Sequence, residues 1–215
     1  MNDRAIPEWC RAILEPDDDQ GKRRLLLMQT AFDVIAEAGF EGLRTRAVAA
    51  RAGVNIATLH YYFPSKQDLV EGLAQFIGAK FVTIHGPRPV PSGCAALDDL
   101  RQEFADSQYY VEHEPKMLLV MQELGMRGKR DAVVKKIVDE LYSHWRHGIQ
   151  EMVEEGAKTG VFRADIDKEA LCAILMSIFA GIAGMGGGNV GEIAKTTESW
   201  ILSDEVKAQL NRQEQ

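Results

Sequence analysis

The chain has 215 residues, a formal net charge of −7 at pH 7, 46% hydrophobic residues and three cysteines; that length suits one large domain or two small ones. Cys10, Cys94 and Cys172 are odd in number and widely spaced, which excludes a disulfide framework and a cysteine-based zinc site and reads as thiols of a cytoplasmic protein. No signal-peptide-like run opens the chain, no stretch reaches the ~20 apolar residues of a membrane span, and no membrane partner is expected.

Residues 1–19 read as an N-terminal arm, partly disordered. Pro7, Pro16 and the run Asp17-Asp18-Asp19 interrupt regular structure, although Trp9 and Ile13 are able to dock. The acidic run suits the positive N-terminal end of the first long helix. In that helix Leu25, Met28, Phe32 and Ile35 share one face. Gly39 ends it and Phe40 folds back. Thr45 is expected to open the next helix, its hydroxyl capping a free N–H. Val48 and Ala49 face inward there, while Arg46 and Arg51 stay in water. Gly53 supplies the positive φ of a tight turn, and Val54 plugs that turn into the core. Asn55 caps a second short helix anchored by Leu59. Pro64 stops this helix, because the residue before a proline is pushed out of the α region. Ser65 then starts a further helix, with Asp68 placed as in a capping box.

Two short helices around a glycine turn are the build of a helix-turn-helix reader of the DNA major groove. The second helix exposes Asn55, Ile56, Ala57, Thr58, His60, Tyr61 and Tyr62 around the single anchor Leu59. Its small N-terminal residues let the backbone approach base edges. Thr58 and Tyr62 can donate to phosphates, and Lys66 can neutralise another. Arg44, Thr45 and Arg46 complete the candidate contacts. Aromatics and hydroxyls on an outer face have no packing reason to be there. Charge agrees: residues 20–68 carry seven bases against four acids, net +3, leaving −10 on the rest. A local basic face still attracts phosphates within a Debye length of roughly 8 Å.

A helix from Ser65 to about Phe81 follows, then a proline-rich loop over 85–93. Further helical patterns cover Ala95–His113, Pro115–Leu124, Ala132–Lys158, Lys168–Met185 and Glu192–Leu210. Pro115 suits a helix start, and residues 161–167 form a short link. Alternation typical of strands is nearly absent, so the expected fold class is all-α.

Two patterns tempt a different reading. Gly186-Gly187-Gly188-Asn189-Val190-Gly191 fits Gly-x-Gly-x-x-Gly, with Asp204 beyond. The chain ends too soon after it for a dinucleotide-binding sheet, so it reads as a connection between the last two helices. His144 and His147 lie one helical turn apart, with Glu140 and Glu151 four residues outward. Such a face can ligate a metal, but more commonly it is solvated carboxylate–imidazole pairing. Neither a hydrolase motif nor a phosphate-binding loop appears. An enzyme is not expected, nor is a cofactor or a metal.

The string Thr-x-x-Val-Ala-x-x-Ala-Gly-Val from Thr45 to the turn after the first helix, Ala-Thr-Leu-His-Tyr-Tyr-Phe-Pro-Ser-Lys over 57–66, and the preceding helix ending in Ala-Gly-Phe together resemble the tetracycline-repressor-like (TetR/AcrR) family of bacterial transcriptional regulators. The resemblance covers roughly residues 22–70. It implies that Thr58, His60, Tyr61, Tyr62 and Lys66 occupy DNA-contact positions, and that Arg46 reaches a base or a phosphate. His60 departs from the pattern, where tyrosine is commoner, so the preferred operator is expected to differ. The resemblance further implies a homodimer, a helical C-terminal domain and a small-molecule inducer.

On this basis residues 20–66 are the expected three-helix DNA-binding domain and residues 67–215 a helical effector-binding and dimerisation domain. Pocket candidates are the bulky or soft residues Tyr109, His113, Met117, Met121, Trp145, Met176 and Phe179, beside Tyr110 and Met152, and they imply a largely apolar effector. Ala180, Gly181, Ala183 and Gly184 permit close helix approach. With Trp200, Ile201 and Leu210 they suggest a four-helix dimer interface. The expected function is a ligand-responsive repressor that binds a near-palindromic operator and is released by an inducer. The alternative is an effector-independent or activating helix-turn-helix regulator.

Overall fold

The computed structural model describes residues 7–185 and 188–213. Eleven helices account for the regular structure of these residues: α1 (Glu8–Leu14), α2 (Asp19–Gly42), α3 (Thr45–Arg51), α4 (Ile56–Tyr62), α5 (Lys66–Thr83), α6 (Ala95–His113), α7 (Pro115–Gly128), α8 (Ala132–Lys158), α9 (Lys168–Met185), α10 (Val190–Ile201) and α11 (Asp204–Gln213). Among the described residues the one strand-like pairing is an isolated bridge between Phe162 and Leu202. The protein is all-α.

The chain divides into two compact units. One comprises residues up to 84 together with 115–142, and the other comprises 85–114 and 143–213. In the first unit α2 packs on α3, α5 and α7, and α1 packs on α5 and α2. Leu27, Met28, Ala31, Phe32 and Ile35 of α2 meet Val48 and Ala49 of α3, Leu59 and Phe63 around α4, and Leu69, Leu73 and Ile77 of α5 in the buried core. Gly39 (φ 68°) breaks the helical backbone of α2, and Phe40 turns inward at 5% exposure. Gly72 lets α5 press on the end of α4: a Cβ there would come within 2.5 Å of the Phe63 ring.

In the second unit Leu97, Leu100 and Phe104 of α6, Ile149 and Val153 of α8, and Leu171, Leu175, Phe179 and Ile182 of α9 form the core, closed by Val190, Ile201 and Val206. Gly156 lies flat against the Phe162 ring, leaving no room for a Cβ. The buried Cys10 and Cys172 thiols are pushed up by desolvation, which keeps them protonated and unreactive.

Three local expectations are corrected. Glu8–Leu14 of the expected arm is helical, because Cys10 finds a buried seat on α5 and α2; residues 1–6 lie outside the described residues. Thr45 does not cap α3: the capping position is Arg44, which makes no side-chain cap hydrogen bond, and Thr45 is already helical. The expected helix over Glu192–Leu210 is two helices. Arg163 N–H donates to the Ile201 carbonyl and Ser203 N–H to the Val161 carbonyl, both at 2.9 Å, and this pairing draws Leu202 and Ser203 out of the helix. Of the glycine-rich segment, Gly186 and Gly187 lie outside the described residues, and Asn189 caps α10 by accepting from Glu192 N–H.

Candidate nucleic-acid interface

The turn between α3 and α4 is set by Gly53 at φ 68°, with open space where a side chain would stand. Val54 N–H donates to the Ala49 carbonyl at 3.0 Å and fixes the entry to α4. Asn55, in extended conformation, caps α4 by accepting from Thr58 N–H at 2.7 Å. Leu59 is fully buried. At 3.6 residues per turn, Ala57 and Tyr61 therefore point roughly opposite Leu59, straight away from the core. Tyr61 is 69% exposed, and its ring meets Tyr62 edge-on at 5.0 Å. Asn55, Ile56, Ala57 and His60 are exposed, whereas Thr58 and Tyr62 are half-buried.

Polar groups on this surface are already oriented. The Thr58 hydroxyl donates to Asn55 Oδ1 at 3.0 Å, so a phosphate contact requires that it rotate. His60 Nδ1 lies 3.1 Å from the Pro64 carbonyl oxygen. A carbonyl only accepts, so Nδ1 carries the proton and the neutral ring presents Nε2 as an acceptor. A tyrosine hydroxyl at the same place would offer a donor as well.

The cations differ in how free they are. Arg51 is held by both oxygens of Glu37, at 2.5 and 2.7 Å, and that pairing lowers the Glu37 carboxyl and raises Arg51. Arg24 lies 5.1 Å over the Phe63 ring and donates to Gln75. Among the described residues Arg44 and Arg46, both exposed, form no ion pair. Lys66 Nζ stands 4.5 Å over the Phe40 ring, and burial pulls its ammonium below the usual lysine range. Ser65 and Asp68 form the full capping box beneath it, and those hydrogen bonds hold the Asp68 carboxyl low.

Sequence reasoning missed a clasp around Phe40. Its N–H donates to Glu123 of α7 at 3.0 Å, and Arg127 of α7 covers the same ring at 5.1 Å while pairing with Glu41 and Asp131. Helix α7 thus grips the turn that precedes α3 and shares a ring with Lys66. Only the buried aromatic after Gly39 hinted at this, because a partner 83 residues away leaves no local pattern.

The pocket candidates fall in different places. Met117 and Met121 are buried core residues of α7 in the first unit. In the second unit Tyr109 stacks on His113 at 4.5 Å, and Trp145, Phe179 and Met176 belong to or pack on the core there. Among the described residues no three potential metal ligands cluster, and His147 pairs with Glu151 at 3.3 Å on an exposed face.

Residues 27–73 match the family described as bacterial regulatory proteins, tetR family. The chain is 27% identical over 167 residues to the HTH-type transcriptional repressor KstR2 of Rhodococcus jostii, covering 71% of this chain and 75% of the relative. Over residues 27–73 the chain carries a DNA-binding segment of the TetR family. It is a DNA-binding transcription regulator, and its relatives are regulators rather than enzymes. A second likeness is to the nucleoid occlusion factor SlmA of Idiomarina loihiensis, 25% identical over 169 residues, covering 76% of this chain and 83% of SlmA. The TetR fold extends to a solved regulator from Saccharomonospora viridis in complex with choline, at TM-score 0.66 and 21% identity over 86% of this chain and all of that one (100%).

Proposed function

We propose that this regulator is a ligand-responsive repressor that binds a near-palindromic operator as a homodimer. The observation that carries the reading is α4 itself: a capped helix whose outward face is Ala57, Tyr61 and the Nε2 of His60, flanked by the uncommitted Arg44 and Arg46. Residues 20–66 act as the reading head, with Thr45, Asn55, Ile56, Thr58, Tyr62 and Lys66 completing its DNA surface. Residues 67–215 take the effector and the second subunit.

A second copy is the occupant that suits α9. The helix has a mean hydropathy of 1.6 and is long and apolar enough to cross a membrane by length and composition, yet Leu171, Cys172, Leu175, Phe179 and Ile182 are built into the core of its own unit. Its other side exposes Ala173, Ile174, Ser177 and Ala180, and Trp200 of α10 is 60% exposed. Small residues beside large apolar ones allow two helix pairs to close on each other.

An inducer shifts such a dimer only by its differential affinity for the DNA-competent and incompetent states. A discrimination of ~100-fold, about 2.7 kcal/mol, relieves a modest repressor. The second reading is an effector-independent or activating helix-turn-helix regulator, which the same α4 surface would also serve. Selection of bound sequences from a random DNA pool tests the first: an enriched palindrome is expected, and enrichment of a single half-site would overturn the dimeric reader. Release of that DNA by a small molecule separates the two readings.

A further inference from the structure

Helix α6 carries a carboxylate in a place where a carboxylate is costly. Glu103 is half-buried, and Trp145 Nε1–H of α8 donates to its Oε2 at 3.0 Å. Among the described residues no lysine or arginine pairs with it, and Oε1 accepts no hydrogen bond. Among the described residues no fully buried side-chain oxygen lacks a partner, so Oε1, which accepts nothing, keeps some accessible surface. The neighbouring acid on the same helix is different. Asp106 is saturated by His85 at 3.0 Å, Gly86 N–H at 2.7 Å and Gln102 at 2.8 Å. Glu103 alone of this pair has coordination to spare.

Its hydrogen-bond partner Trp145 belongs to an aromatic group. The Trp145 indole packs on Phe179 with ring centroids 6.0 Å apart, and Phe179 packs on Phe104 at 5.0 Å. A half-buried carboxylate with no cationic partner is penalised by lost hydration. A lysine or arginine would cancel that penalty from within the chain, and none does. A ligand cation would cancel it from outside, while the Trp145 N–H holds the carboxylate in place.

We propose that Glu103 and Trp145 form the anchor of the effector site, and that the effector is an organic cation with an apolar body, such as a substituted ammonium. The anchor rests on the ligand-responsive reading above and narrows it: an anionic effector is excluded from this site, and a neutral one gains nothing from the ionised acid. Burial, the leading influence, raises the Glu103 carboxyl, only partly opposed by the Trp145 hydrogen bond. The free protein thus holds a proton there more readily than an ordinary glutamate does. A bound cation favours the ionised form, so binding releases that proton. Affinity for a cation therefore rises as pH rises through the Glu103 titration, and levels off above it.

The test uses two molecules of one shape. Choline carries a trimethylammonium group, and 3,3-dimethylbutan-1-ol replaces its nitrogen with carbon. Calorimetric titration of the full-length protein with each is compared for wild type, Glu103→Gln and Trp145→Phe, with circular dichroism confirming the fold. Glutamine keeps an acceptor for the indole N–H, so the packing survives. Choline is expected to bind the wild type, more tightly as pH rises. The alcohol and the Glu103→Gln variant are each expected to lose roughly 30-fold or more. Equal binding of the two molecules, unchanged binding by Glu103→Gln, or no saturable binding of choline or tetraethylammonium overturns the cation site. Release of the selected operator by a panel of neutral and anionic compounds is measured in parallel. Release by one of those, with no cation bound, leaves the ligand-responsive reading standing while the cation site falls. Cation binding without operator release does the reverse.

Discussion

His60 shows how a single hydrogen bond assigns a role. Because Nδ1 donates to the Pro64 carbonyl, the neutral ring offers only an acceptor to DNA, and an acceptor selects the amino groups of adenine or cytosine in the major groove. His60→Tyr is expected to change the base preferred at one position of each half-site, read by repeating the sequence selection; an unchanged preference means that this ring does not read sequence. Tyr62→Ala with Lys66→Ala makes a different prediction. The proposed docking gives both residues phosphate contacts, so affinity is expected to fall across all sequences and the salt slope to shrink by about one for the lost lysine. Unchanged binding would sink the docking geometry. Lys66 also covers Phe40, so the melting temperature of the double variant must be measured beside its DNA binding.

At the scale of elements, the signals that were legible in sequence are those that act within a turn of helix. Asn55, the Ser65–Asp68 box, Gly39 and Gly53 each do locally what their residue types dictate. Asn55→Ala is expected to cost about 1 kcal/mol of stability and to lower operator affinity as well, because the same Oδ1 holds the Thr58 hydroxyl; urea denaturation measures the first and a binding titration the second. What stayed hidden depends on distant partners. The break between α10 and α11 is made by the 161–163 segment, and the helix α1 by a seat for Cys10. Gly72 belongs to that hidden class. It reads as a mere weak point in α5, yet the fully buried Phe63 ring fills the place of its missing Cβ. Gly72→Ala is accordingly expected to destabilise by about 1–3 kcal/mol despite alanine's better helix propensity. A stabilised variant in the same denaturation experiment would show that the ring moves aside freely. The α7 clasp and the Glu103–Trp145 pair escaped the sequence for the same reason, since each joins residues more than forty positions apart.

For the molecule as a whole, the proposed function depends on putting two reading heads on one stretch of DNA. A single α4 helix contacts a few base pairs, and a dimer gains affinity because the second half-site is met at high effective concentration. The net charge of −10 outside residues 20–68 makes this dependence sharper, since it offers a lone subunit little non-specific attraction to DNA. The outward face of α9 is where the pairing can be cut without harming the fold. Ile174 is 51% exposed and contributes little to its own unit's core, so Ile174→Asp leaves monomer stability nearly unchanged while placing a charge where an apolar contact is needed. Light scattering is expected to report half the wild-type mass at micromolar concentration. Binding to the selected full operator should fall by at least about tenfold, with binding to an isolated half-site unaffected. A variant that keeps both its dimer mass and its operator affinity would move the interface away from α9. Loss of mass with full operator affinity would instead mean that the subunits meet only on DNA.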